Sequence, residues 1–236
     1  MTLPKLNESV KYEMNVPSTG NIITYRPYLV KEEKILLQAF ESQDQKMAMR
    51  AMVDTVCACV YETVIPDDLT TFDVEYMFTQ IRAKSVGEKS NISVKCQSEE
   101  CDGRTEVTID LTQVDMSESD KNNIIELTPE ISIELSYPSY VGFLNNYKEG
   151  MSESEFAFLM LEDCIVAIIT EEERILTKDV NKKELKEFID SMSSKQFESV
   201  GNYLSTAPKM KKDVEFECSK CGKENKVTLE GLQDFF

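Results

Sequence analysis

Two cysteine couplets decide how this chain reads: Cys96-Gln97-Ser98-Glu99-Glu100-Cys101 in its middle and Cys218-Ser219-Lys220-Cys221-Gly222 near its end. Each sits at the tip of a predicted β-hairpin. Asn91-Ile92-Ser93-Val94-Lys95 leads into the first couplet and Asp213-Val214-Glu215-Phe216-Glu217 into the second. Beyond them, Arg104-Thr105-Glu106-Val107-Thr108-Ile109-Asp110-Leu111 and Asn225-Lys226-Val227-Thr228-Leu229 alternate in the manner of return strands.

Four thiolates on two hairpin tips are what a closed tetrahedral zinc site requires, so the spacing predicts a zinc ribbon whose halves come from distant parts of the chain. Cys96, Cys101, Cys218 and Cys221 are the candidate ligands, with structural Zn2+ as the cofactor. The second couplet is the stronger signal. Two intervening residues let both sulfurs face one ion, and Gly222 tolerates the left-handed turn that closes the loop. The first couplet has a longer spacer, and its glycine, Gly103, comes one position later. Two disulfides, dithiol redox chemistry or free thiols in unrelated turns are the alternatives.

Composition narrows the function classes. The chain has 236 residues, 41% of them hydrophobic, enough for a sizeable core. Met1-Thr2-Leu3-Pro4-Lys5-Leu6-Asn7 lacks the apolar region of a signal peptide, and the longest apolar stretch, residues 156–169, is interrupted by Glu162 and Asp163. A reducing cytoplasm is therefore expected, where cysteines serve as metal ligands and core residues. There is no histidine, which removes Ser-His-Asp and Cys-His nucleophiles and HExxH metalloprotease chemistry. No catalytic constellation is left, and the chain is read as a non-enzyme. The formal charge of −17 repels phosphate backbones, so nucleic acid is not an expected partner. Lys209, Lys211 and Lys212 form the one basic cluster and read as solvated linker charges.

Taken in order, the chain predicts a small N-terminal hairpin about the turn Pro17-Ser18-Thr19-Gly20. Helices follow, one with Ile35, Leu36, Ala39 and Phe40 on its stripe and a second starting at Asp44. That second helix carries Met49, Met52, Val53, Val56 and Val60, with Cys57 and Cys59 as core thiols, and is expected to end at Pro66. A third helix buries Val74, Met77, Phe78 and Ile81. Residues 112–130 are polar and acidic, and Ile131-Ser132-Ile133-Glu134-Leu135 alternates as a strand. Tyr140, Phe143, Leu144 and Tyr147 mark a short helix. A capping box of Ser152 and Glu155 then opens an apolar helix through residue 169, the expected centre of a bundle, with Asp163 and Cys164 inside it. Two more helices start at Asn181 and at Ser193 or Ser194.

The resulting expectation is α+β: mainly a helical bundle, with an N-terminal β-hairpin and a discontinuous four-cysteine zinc ribbon formed by two hairpins. Residues 1–90 and 112–210 would form the body, and residues 91–111 and 212–236 the ribbon subdomain.

Leu3-Pro4-Lys5-Leu6, the Pro17 to Gly20 turn, the block Tyr25-Arg26-Pro27-Tyr28-Leu29-Val30-Lys31-Glu32-Glu33-Lys34-Ile35-Leu36-Leu37 and the ending Gly231-Leu232-Gln233-Asp234-Phe235-Phe236 resemble the T4-type bacteriophage baseplate family. That family includes a baseplate hub subunit and a hub assembly catalyst. The resemblance implies a non-enzymatic tail morphogenesis protein acting through protein–protein contacts in the host cytoplasm or in the virion. It would chaperone hub or tape-measure proteins, with Phe235 and Phe236 as either docking residues or core plugs. The competing readings are a cytosolic zinc-ribbon regulator of a transcription or translation complex, and a dithiol oxidoreductase using Cys218 and Cys221.

Overall fold

The computed structural model describes residues 10–42, 44–118, 122–146, 148 and 150–235, with the side chains of residues 153–157 excepted. Among the described residues, seven α-helices and eleven strands in four sheets make an α+β fold. This overturns the expected mainly helical bundle. The chain divides into two compact units. Unit 1 comprises Met1–Ile65, Phe72–Ser117 and Lys209–Phe236, and unit 2 comprises Pro66–Thr71 and Glu118–Pro208.

Unit 1 begins with an antiparallel hairpin of β1 (Tyr12–Asn15) and β2 (Ile22–Tyr25). Helix α1 (Val30–Glu41) starts where Glu32 reaches back to the Leu29 N–H at 2.9 Å. Glu32 is buried, and Arg26 donates to it at 2.8 Å. Burial opposes ionisation of this carboxyl, but the Arg26 and Leu29 donors outweigh it and hold its pKa below the ordinary value. Helix α2 (Gln45–Cys59) is capped by Asp44, which accepts from the Met47 N–H at 3.0 Å. It ends well before Pro66, because Val60 turns extended and bridges to Tyr25. Helix α3 (Thr71–Ser85) buries Val74, Met77, Phe78 and Ile81 as its periodicity predicts. The first cysteine hairpin follows as β3 (Lys89–Lys95) and β4 (Arg104–Asp110), and then the short β5 (Asp115–Met116).

Unit 2 is where expectation and structure part. Strands β6 (Ile124–Thr128) and β7 (Ile131–Leu135) pair, and α4 (Tyr140–Asn146) and α5 (Glu153–Cys164) follow. The long apolar helix stops at Cys164. Its expected second half is strand β8 (Ile165–Thr170), which pairs with β7 and with β9 (Arg174–Leu176) in the order β6-β7-β8-β9. An apolar run fits a buried helix and a buried strand equally well, and the β-branched Ile165, Val166, Ile168, Ile169 and Thr170 favour the strand once β7 lies alongside. Helices α6 (Lys182–Asp190) and α7 (Ser194–Ser205) start at Asn181 and at a Ser193/Gln196 capping box. They close a core of Ile133, Leu135, Leu161, Ile165, Leu185, Ile189, Val200 and Tyr203. The expected contributions of Tyr147 and of the Glu155 and Phe156 side chains lie outside the described residues.

The chain returns to unit 1 through β10 (Met210–Glu217) and β11 (Glu224–Glu230), the second cysteine hairpin. Strand β10 also pairs with β5, giving the sheet order β11-β10-β5. The two cysteine hairpins share a core of Ile92, Val94, Ile109, Leu111, Met210, Val214 and Leu229, so apolar packing as well as sulfur joins segments distant in sequence.

Candidate metal centre

Pairing in register sets the site. Lys95 opposite Arg104 ends one ladder, and Glu217 opposite Glu224 ends the other, so each couplet occupies a hairpin tip. In the first loop the Cys96 N–H donates to the Gly103 carbonyl at 2.9 Å, and the Cys101 N–H to the Ser98 carbonyl at 3.0 Å. In the second, Gly222 at φ 69° lets its N–H return to the Cys218 carbonyl at 2.8 Å, a conformation costly to any residue with a Cβ.

The two tips meet. Cys96 Sγ lies 3.8 Å from Cys221 Sγ, and Cys101 Sγ lies 3.8 Å from Cys218 Sγ. All four sulfurs fall within 4.8 Å of one another, and none is in a disulfide. A regular tetrahedron with metal–sulfur bonds of about 2.3 Å has edges of about 3.8 Å, so the donor set and its spacing fit one tetrathiolate metal ion. Cys96, Cys101 and Cys218 are buried and Cys221 is exposed.

The local field separates two of the thiols. Backbone N–H groups of Cys221 and then Lys220 aim at the Cys218 sulfur and pull its pKa down to about 6. Cys101 goes the other way: the Gly103 N–H favours its thiolate, but burial and the neighbouring thiols override this and raise it to about 11. The cluster thus holds Cys218 ready as thiolate at neutral pH beside Cys101, which a cation would have to deprotonate.

Several residues hold the tips together through partners remote along the chain, which the sequence does not show. A Cβ on Gly103 would stand 2.8 Å from Lys220 Cβ and 3.0 Å from Cys218 Sγ, so only glycine fits that close approach. The side chain of Asn225 is buried, and its Oδ1 accepts from the Gln97 N–H at 2.9 Å, tying β11 to the first cysteine loop. Ser219 N–H donates to Thr105 Oγ1 at 3.0 Å, its hydroxyl donates to the Arg104 carbonyl at 3.1 Å, and Lys220 pairs with Asp102.

The remaining cysteines lie elsewhere. Cys59 and Cys164 are buried, and burial pushes their thiols up to about 11 and about 12. Cys57 is half-buried, and its thiol is raised by the same cause. Asp163 is exposed at the end of α5 and accepts from Asn146 at 2.5 Å. Phe235 is 0% exposed in the unit 1 core, and its carbonyl accepts from the Ser90 hydroxyl at 2.9 Å. Phe236 lies outside the described residues. Lys212 spends its ammonium group on the Gln113 carbonyl at 2.9 Å. No described helix is long and apolar enough to cross a membrane.

Both the hairpins and the helices ahead of them fall within one family match, since the profile of T4 bacteriophage base plate proteins covers residues 9–236. The chain belongs to the T4 base plate protein family. This base plate protein is also 23% identical over 229 residues to the baseplate hub assembly protein gp26 of Enterobacteria phage T4, covering 96% of the chain and 98% of that relative. No solved structure gives a significant match. Membership in the family gives the chain a role in the phage baseplate.

Proposed function

We propose that this base plate protein is a non-enzymatic factor in assembly of the tail hub, working by protein–protein contact while hub or tape-measure proteins are still unassembled. The observation that carries this reading is the near end-to-end alignment with a hub assembly protein. Its site of action is the host cytoplasm, and the virion if it stays in the baseplate. The strong negative charge supports encounter with basic surfaces of such partners.

Within this reading Cys96, Cys101, Cys218 and Cys221 bind one structural Zn2+. The tetrathiolate set supports zinc over harder cations, which prefer oxygen ligands. All four positions are filled by protein, which leaves no open coordination site and suits a structural role. Residues 91–111 and 212–236 then form a ribbon whose fold depends on the ion.

The test is affinity capture with tagged protein from cells assembling phage tails, followed by mass spectrometry. Recovery of hub or tape-measure protein is the expected result. Recovery of neither, together with tight nucleic-acid binding in a mobility-shift assay, would replace assembly by the zinc-ribbon regulator reading. Elemental analysis of protein purified without chelator should give about one zinc per chain.

A further inference from the structure

Among the described residues of unit 1, several large apolar side chains are exposed to solvent, and Val30, Ile35, Leu37 and Phe40 gather along α1. Leu37 is 53% exposed and Phe40 49%, and Val86, just past the end of α3, is 61% exposed. Together with Tyr28, Leu36 and Phe78 these residues line a groove of about 470 Å³. On α1 the lining residues Glu33, Leu36, Leu37 and Phe40 recur at helical steps, so this wall is a ridge running along the helix. A volume of this size seats on the order of two or three large side chains.

Charge says what kind of chain brings those side chains. Phe40 lies in the last turn of α1, beside Glu41, and that turn has no basic residue. The helix C-terminus adds its own partial negative charge there, so this end of the groove favours a cation. At Tyr28 the groove is mixed, with Arg82 and Glu33 both acting on the phenol. A second copy of this chain would bring a formal −17 against −17, which opposes self-association.

We infer that the groove receives one face of an amphipathic α-helix from another protein, with apolar anchors at i, i+3 or i+4, and i+7 and a lysine or arginine placed beside Phe40 and Glu41. This deepens the assembly reading, and rests on it in taking the occupant to be a protein.

The experiment is selection from a display library of random peptides of about 18 residues, five helical turns. The intact wild-type protein is the target, and the Phe40→Glu variant removes sequences that bind elsewhere. Enriched peptides should share the apolar helical period with flanking lysine or arginine. In fluorescence anisotropy the synthetic versions should bind Phe40→Glu and Leu37→Glu at least tenfold more weakly than wild type, and Glu41→Lys several-fold more weakly. Circular dichroism and metal content matching wild type show that the variants are folded. The inference is overturned if no enriched sequence depends on Phe40, if enriched sequences lack basic flanks, or if sedimentation shows a dimer of the protein alone that Phe40→Glu dissolves. Hub proteins captured equally by wild type and Phe40→Glu would remove the groove while leaving the assembly reading in place.

Discussion

The two units solve the same problem, covering apolar surface, with different means. Unit 2 is made almost entirely from one uninterrupted segment, Glu118–Pro208, whose four-stranded sheet is packed by α6 and α7. Unit 1 is assembled from three separated segments, and its two cysteine hairpins meet at a cluster of sulfurs. Surface composition follows the same divide. Among the described residues, Leu37, Phe40, Met47, Val86 and other exposed large apolar residues are in unit 1, whereas Ile124 and Phe158 are those of unit 2. Unit 2 holds twenty of the 43 acidic residues against eight of the 26 basic ones. A unit closed by long-range contacts needs a staple to offset the chain entropy of bringing remote segments together, while one closed by local contacts does not.

The strongest way to break this contrast is to remove the staple. Cys218→Ser, or chelation of wild type, should abolish metal binding, which contributes about 10 to 16 kcal/mol in small zinc-folded peptides. Limited proteolysis should then cleave β3, β4, β10 and β11 while fragments spanning unit 2 persist. Equal protection of both cysteine hairpins in the metal-free protein would show that apolar packing alone closes unit 1.

A core truncation in unit 2 gives the reverse case. Leu161→Ala removes a buried side chain from the packed sheet and should cost about 2 to 5 kcal/mol in denaturant unfolding, with metal content unchanged. Loss of metal in that variant would mean the units fold as one.

Within unit 1, the buried Glu32 and Arg26 pair tests how much of the α1 end rests on charge. The Glu32 pKa is depressed in the fold, so its contribution is present above the ordinary glutamate value of about 4.3 and fades as pH falls through the folded value. Glu32→Gln should cost about 1 to 3 kcal/mol at pH 7 and flatten the acid limb of stability against pH. An unchanged acid limb would assign that limb to other carboxylates. Cys164→Ala, at a buried position in unit 2, should keep its metal and cost about 1 to 2 kcal/mol by thermal unfolding. The smallest effect is expected for Lys220→Ala, whose exposed ion pair with Asp102 should contribute no more than about 1 kcal/mol.

The cysteine cluster was legible because short-range spacing reports on loop geometry. Cys-x-x-Cys-Gly requires a closed turn wherever it occurs, and the alternating flanks place it on a hairpin. The bundle was misread at one place above all. Residues 165–169 carry the same apolar character in a helix or a strand, and no local pattern reveals that β7 and β9 lie on either side. The short strand at 115–116 likewise gives little sign of itself, since its ladder is completed by β10 from far along the chain, and Ile124-Ile125-Glu126-Leu127-Thr128 is an apolar island in an acidic stretch that only its pairing with β7 makes a strand.

By itself the sequence determined the four cysteines of the candidate metal centre, the hairpins that carry them, most helix starts through their caps, and the family to which the chain belongs. Only the tertiary structure decided that the two couplets meet, that Phe235 is buried, that Gly103 and Asn225 hold the tips together, and that α1 leaves an apolar groove open. The physical reason is distance along the chain. Caps, turns and metal spacings are fixed by neighbours a few residues away, whereas burial and strand pairing depend on partners that only folding brings near.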